Sequence, residues 1–200
     1  WHFKADNVRD FAFATSRKFV WDAWGVKLPD SGRTVMAMSL YPDEAMPLWD
    51  KYSTQAIAHT LDTYSRYSFE YPYPVAWSVH GPIGGGMEYP MITSNGYPVE
   101  IEKNDDGTET RTYSRRTKYG LISVVIHEIG HIYFPMVVNT DERNWAWMDE
   151  GINSFLQTMA EREWEADYPA RRSVPKGVIS YMTSPDQTPI MTQSDSIIGY

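Results

Sequence analysis

The chain has 200 residues, enough to bury a substantial core in one domain or two small ones. Its 18 basic against 26 acidic residues give a net charge of −8 with no long Lys/Arg run, which argues against a nucleic-acid backbone as partner. The lack of cysteine excludes a disulfide framework and thiolate metal ligands, and neither a membrane-spanning apolar run nor a signal-peptide pattern is expected.

The chain opens on Trp1-His2-Phe3 and closes on Ile197-Ile198-Gly199-Tyr200, so it reads as trimmed from a longer protein or flanked by further domains. Residues 8–20 mix apolar and polar positions in a strand-like way, with Ser16-Arg17 as a turn. Pro29-Asp30-Ser31-Gly32 is a turn, and Thr34–Leu40 reads as a strand. Acidic Asp43 and Glu44 then lead into a helix over Ala45–Tyr67, whose His59 reads as a packed or surface residue. Pro72 and Pro74 stop that helix before a strand at Val75–His80, giving the rhythm of a sheet covered by a helix.

Residues 81–90, GPIGGGMEYP, let the backbone pass close to a ligand, but lack the Lys-Ser/Thr ending of a phosphate loop. Glu88 is either a strand-edge residue or, if held near a metal, a partner for a peptide's α-ammonium. Residues 99–113 alternate around Asn104-Asp105-Asp106-Gly107 and predict an exposed hairpin. Arg115, Arg116 and Lys118 form a solvated positive patch by default, with substrate contact as the rival reading.

The next stretch carries the chemistry. His127-Glu128-Ile129-Gly130-His131 places two imidazoles on one helix face, about 6 Å apart along the axis, where they can share one small cation. Neutral imidazole suits zinc, and Glu128 beside the first histidine can reach a metal-bound water as a base. Pro135 ends this helix near Phe134, and Asn139–Asn144 turns the chain. Met148, Ile152, Phe155 and Met159 predict a second helix burying that stripe against the first; Glu150, about 200° from Met148, falls off it and is the candidate third ligand. Asp149 is the local competitor. Glu161, Glu163, Glu165 and Asp167 read as a solvated face, and residues 173–196 as a turn-rich connector or irregular wall. A satisfied core histidine pair is the ordinary alternative to the metal.

His127–His131 followed by Glu150 within Trp147-Met148-Asp149-Glu150-Gly151 resembles the zinc site of the aminopeptidase N (M1) family of gluzincin metallopeptidases. Gly85-Gly86-Met87-Glu88-Tyr89 is similar to that family's Gly-x-Met-Glu-Asn exopeptidase motif, with Tyr89 in place of Asn; Asp149 replaces the usual Asn before the third ligand. The likeness is good over residues 35–160 and weak at the flanks. It implies an α+β, thermolysin-like catalytic domain. A small mixed sheet with helices would occupy residues 1–118 and a mainly helical zinc-binding half residues 119–200, with β-rich and helical domains flanking them in the family but absent here. It further implies one Zn²⁺ on His127, His131 and Glu150, Glu128 as general base, Glu88 on the substrate amino group, and Gly85, Gly86 and Met87 along the peptide. The family's transition-state tyrosine lies farther past the third ligand; Tyr200 is the candidate in this chain, unless that residue lies beyond it.

These features predict a zinc aminopeptidase acting on peptides with a free amino terminus. The alternatives are a zinc endopeptidase, another zinc hydrolase such as an epoxide hydrolase, or an inactive zinc-stabilised interaction domain.

Overall fold

A computed structural model describes residues 2–96, 98–169 and 175–197. Five strands form one sheet: β1 (Phe19–Lys27), β2 (Thr34–Pro42), β3 (Val75–His80), β4 (Gly85–Tyr89) and β5 (Ile92–Gly96), in the order β1-β2-β3-β5-β4. β2, β3 and β5 run parallel, while β1 and β4 flank them antiparallel. Strands β6 (Glu100–Lys103) and β7 (Glu109–Thr112) form the expected exposed hairpin.

Helix α1 (Trp49–Tyr67) crosses between β2 and β3. Trp49, Ser53, Ala56, Ile57, Thr60, Leu61 and Tyr64 are buried on it, a stripe at helical spacing that covers the sheet. It starts later than expected because Met46, preceding Pro47, is held extended, and only a short turn forms at Asp43–Ala45. His59 is packed as expected, with Nε2 2.7 Å from the Ala160 carbonyl and its ring edge-on to Trp164.

Helix α2 (Arg115–His131) lies beside α1 over β3, β5 and β4. Ser114 caps it, its Oγ accepting the Thr117 amide at 3.2 Å, so Arg115, Arg116 and Lys118 belong to the helix rather than preceding it. Past His131 the chain makes a π-type turn, and Phe134 leaves helical dihedrals (φ −137°, ψ 107°) as the residue before Pro135 must. Against the expectation of no such run, Arg115–Val137 is apolar and long enough to cross a membrane, with mean hydropathy 1.4 over its best window. That window is 67% buried inside the fold, so its apolarity is that of the central core helix.

Helix α3 (Glu150–Trp164) packs on α2 and α1. Its buried face is Asn153, Leu156, Gln157, Ala160 and Glu161 rather than the predicted stripe; Phe155 is 67% exposed. The acidic run is only partly the solvated face expected: Glu163 and Asp167 are exposed and Glu165 is half-buried. Glu161 is buried, Glu163 pairs with Arg66, Glu165 with Lys118, and Asp167 with Arg115. Helix α4 (Pro175–Met182) occupies part of the segment read as irregular. Two further corrections concern strands: residues 8–17 carry none and β1 begins at Phe19, while β5 was not foreseen.

Candidate metal centre

The centre forms where α2, the start of α3 and edge strand β4 meet. Gly130 permits the approach of the helices: a Cβ there would lie 2.2 Å from Asn153 Oδ1 and 2.4 Å from the Tyr64 hydroxyl oxygen. Opposite the sheet-facing side of α2, α3 presents a polar seam. Asn153 Nδ2 donates to the His127 carbonyl at 2.8 Å, and Gln157 Nε2 donates to Ser123 Oγ at 2.9 Å and to Glu161 Oε1 at 2.8 Å. Ser123 Oγ also donates to Glu161 Oε1.

That seam orients the first histidine. His127 Nδ1 lies 2.8 Å from Gln157 Oε1 and donates to it, leaving Nε2 as the free lone pair. His131 Nδ1 donates to the Phe134 carbonyl at 3.0 Å, and Asp149 Oδ1 stands 2.9 Å from the same nitrogen. The non-helical turn at Phe134 therefore supplies the carbonyl that fixes the second ring. The sequence alone did not reveal Asn153, Gln157 and Glu161 as supports, although their i, i+4, i+8 polar spacing on an otherwise apolar helix was a signal.

The two Nε2 atoms face each other at 3.0 Å, and Glu150 Oε2 lies 3.2 Å from that of His127 and 3.9 Å from that of His131. A triangle with these sides has a circumscribed circle of radius about 2.0 Å, the distance zinc keeps from imidazole nitrogen and carboxylate oxygen. The donor set therefore fits one such ion, with Glu150 leaving a solvent-facing side. Asp149 sits at the outer nitrogen of His131 instead of among these three atoms, where it acts on the ring's orientation and charge. Burial opposes protonation of His131, but Asp149 and the nearby Glu88 charge prevail and raise its pKa to about 9. A metal must displace that proton to bind.

Glu128 is buried at 4% exposure, and its Oε2 has no hydrogen-bond partner among the described residues. Burial pushes its carboxyl up to about 7, against the pull of the two histidines and with the help of Glu88 and Glu150. It lies directly over β4: a Cβ on Gly86 would come within 2.2 Å of Glu128 Oε1. Glu88, two residues along the edge strand, is half-buried, and a carboxylate oxygen of it shares a 4.8 Å cluster with His131 and Asp149. Burial raises its pKa, as do Asp149 and Glu150, while His131 lowers it.

Gly85 and Gly86 line a cavity of about 580 Å³ that runs from His127 and Glu128 along α2. Gly85 takes φ +88°, where glycine has no steric penalty. Met87 is 42% exposed and does not line this cavity. Tyr200 lies outside the described residues.

No family model and no curated protein matches the chain. Among solved structures it is similar to an aminopeptidase A from Legionella pneumophila in complex with aspartic acid, with TM-score 0.58 and 14% identity over 72% of this chain and 16% of that one. It is also similar to an M1 zinc metallopeptidase from Deinococcus radiodurans, with TM-score 0.51 and 19% identity over 74% of this chain and 29% of that one. A mutant form of the same enzyme matches with TM-score 0.52 and 19% identity over 74% of this chain and 30% of that one. The chain spans less than a third of the length of each. Its mixed α+β fold is thus similar to part of the fold of these structures, two of which are forms of one M1 zinc metallopeptidase.

Proposed function

We propose that this chain is the metal-binding part of a zinc-dependent aminopeptidase with a thermolysin-like catalytic domain. The observation that carries the reading is the triangle of His127, His131 and Glu150 donor atoms, sized for one zinc ion, with the buried Glu128 carboxyl alongside. Zinc, when bound, supplies a water of lowered pKa and polarises a carbonyl.

The chain's own residues do the rest. Glu128 takes a proton from the attacking water and later returns it to the leaving amine; a carboxyl held near neutrality suits both transfers. Its burial over Gly86 keeps competing water from the carboxylate. Gln157 and the Phe134 carbonyl hold the two imidazoles in the tautomer that turns Nε2 inward. Glu88 receives the substrate's α-ammonium, with Asp149 adding negative charge beside it, and the backbone of Gly85 and Gly86 runs along the peptide. Cleavage then falls one residue from the amino end. The backbone of Met87 continues the run along the peptide, its exposed side chain lying on the other face of the strand.

The test uses the zinc-loaded full-length protein, aminoacyl reporter peptides and their amino-acetylated counterparts. Glu128→Gln lowers kcat by about 10²–10⁴-fold with zinc content unchanged. The parent prefers the free amine, and Glu88→Ala erases that preference. Unchanged turnover in Glu128→Gln overturns the hydrolytic reading; equal cleavage of blocked and free peptides shifts it to an endopeptidase.

A further inference from the structure

Helix α2 carries more than the histidines. Arg116 is eleven residues before His127, and eleven steps of 100° close three turns with about 20° to spare, so both lie on one face. Arg116, Gly120, Ser123, Val124 and His127 all line the cavity, and Gly120 leaves its floor without a side chain. The neighbouring cations are engaged. Arg115 Nη2 stands 2.9 Å from Asp167 Oδ2 with its guanidinium over the Tyr119 ring, and Lys118 Nζ stands 3.2 Å from Glu165. Arg116 has no ion pair among the described residues and remains the cation available to a ligand in the cavity.

The cavity also has a direction. Gly86 packs on Glu128 and Glu88 clusters with His131, so β4 and the last turns of α2 advance together. A peptide whose amino group sits at Glu88 and whose first bond meets His127 and Glu128 must continue away from Glu88, along α2 toward its start. That path ends at Arg116.

We propose that Arg116 binds the α-carboxylate of short peptide substrates, making the cavity a length gauge between two charged ends. This rests on the aminopeptidase reading above. Eleven helical residues rise about 16 Å, and an extended peptide spans about 3.3–3.6 Å per residue. That rise is covered by about four to five residues past the scissile bond, so peptides of about five or six residues fit best.

The experiment measures binding separately from turnover. Calorimetric titration of zinc-loaded full-length Glu128→Gln protein uses peptides of two to eight residues with neutral side chains, each as the free acid and the carboxy-terminal amide. The acid binds roughly three- to tenfold more tightly than the amide at about five or six residues, and less differently at two or eight. Adding Arg116→Ala brings the ratio to about one, and Arg116→Lys restores part of it. Equal affinities of acid and amide at every length overturn the proposal, as does a ratio that survives Arg116→Ala. Failure of the parent protein to cleave any free-amine peptide is a separate result that overturns the aminopeptidase reading, while the acid-to-amide ratio still decides the role of Arg116.

Discussion

Replacing Gly86 by alanine separates the stability of the site from its chemistry. The added Cβ would stand 2.2 Å from Glu128 Oε1, 2.3 Å from Cδ and 2.4 Å from Cγ, whereas nonbonded heavy atoms settle at about 3.5–4.0 Å. The Glu128 side chain must therefore retreat by more than about 1 Å, and a displacement of that size costs roughly 100-fold in rate, or about 2.7 kcal/mol of barrier. Since a side-chain end yields rather than backbone, the stability loss stays near the low end of the about 1–3 kcal/mol typical of overpacking. Gly86 does not occupy the left-handed region, so alanine adds no backbone strain there. Gly85→Ala is the converse control: no atom lies within 4 Å of its Cβ, but φ is +88°, so it costs about 1–2 kcal/mol in stability. Steady-state kinetics on a free-amine reporter, zinc content by elemental analysis and thermal unfolding read all three quantities. If Gly86→Ala keeps zinc and a kcat within about threefold of the parent, Glu128 does not work from the position described.

Gly130→Ala places a methyl against Asn153 and Tyr64 at the helix crossing; unfolding should show a loss of about 1–3 kcal/mol together with weaker zinc retention. Chelation of zinc should lower Tm, by about 4 kcal/mol of linked stability when free zinc had been a thousandfold above Kd, and His131→Ala should remove that response. The hydrogen bond from Tyr119, then Lys118, lowers the Glu165 carboxyl below its ordinary value of 4.5. A depressed folded pKa means that this stabilisation is present above pH 4.5 and is lost as pH falls through the lowered value, so Glu165→Gln should flatten the acid side of a Tm-versus-pH curve.

Local geometry was legible in the chain where one helix supplies it. The i, i+4 spacing of His127 and His131 fixes a common face whatever surrounds it, and Pro135 had to end that helix. Elements defined by long-range packing were harder to read. The apolar stripe Met148, Ile152, Phe155 and Met159 suggested the wrong buried face for α3, because α2 meets it with carbonyl and hydroxyl groups that call for Asn153, Gln157 and Glu161. β5 was hidden for a similar reason. Its Thr93 and Asn95 are buried but hydrogen-bonded, through Thr93 Oγ1 to the Trp77 carbonyl and Asn95 Nδ2 to Ser78, so a core strand has a loop-like composition. In the acidic run after Phe155 the exposure of Glu163 and Asp167 was legible, but not their pairing, because the cationic partners Arg66, Lys118 and Arg115 come from two other helices.

The hydrogen-bonded contact between α2 and α3 limits how this pair of helices can drift over evolutionary time. Oily surfaces can slip past one another by a turn and repack, whereas matched donors and acceptors accept one alignment and penalise every other with unsatisfied groups. Substituting aliphatic residues at 153, 157 and 161 would free the pair to slide, and Glu150 would no longer be delivered opposite the imidazoles even in a protein that melted at a higher temperature.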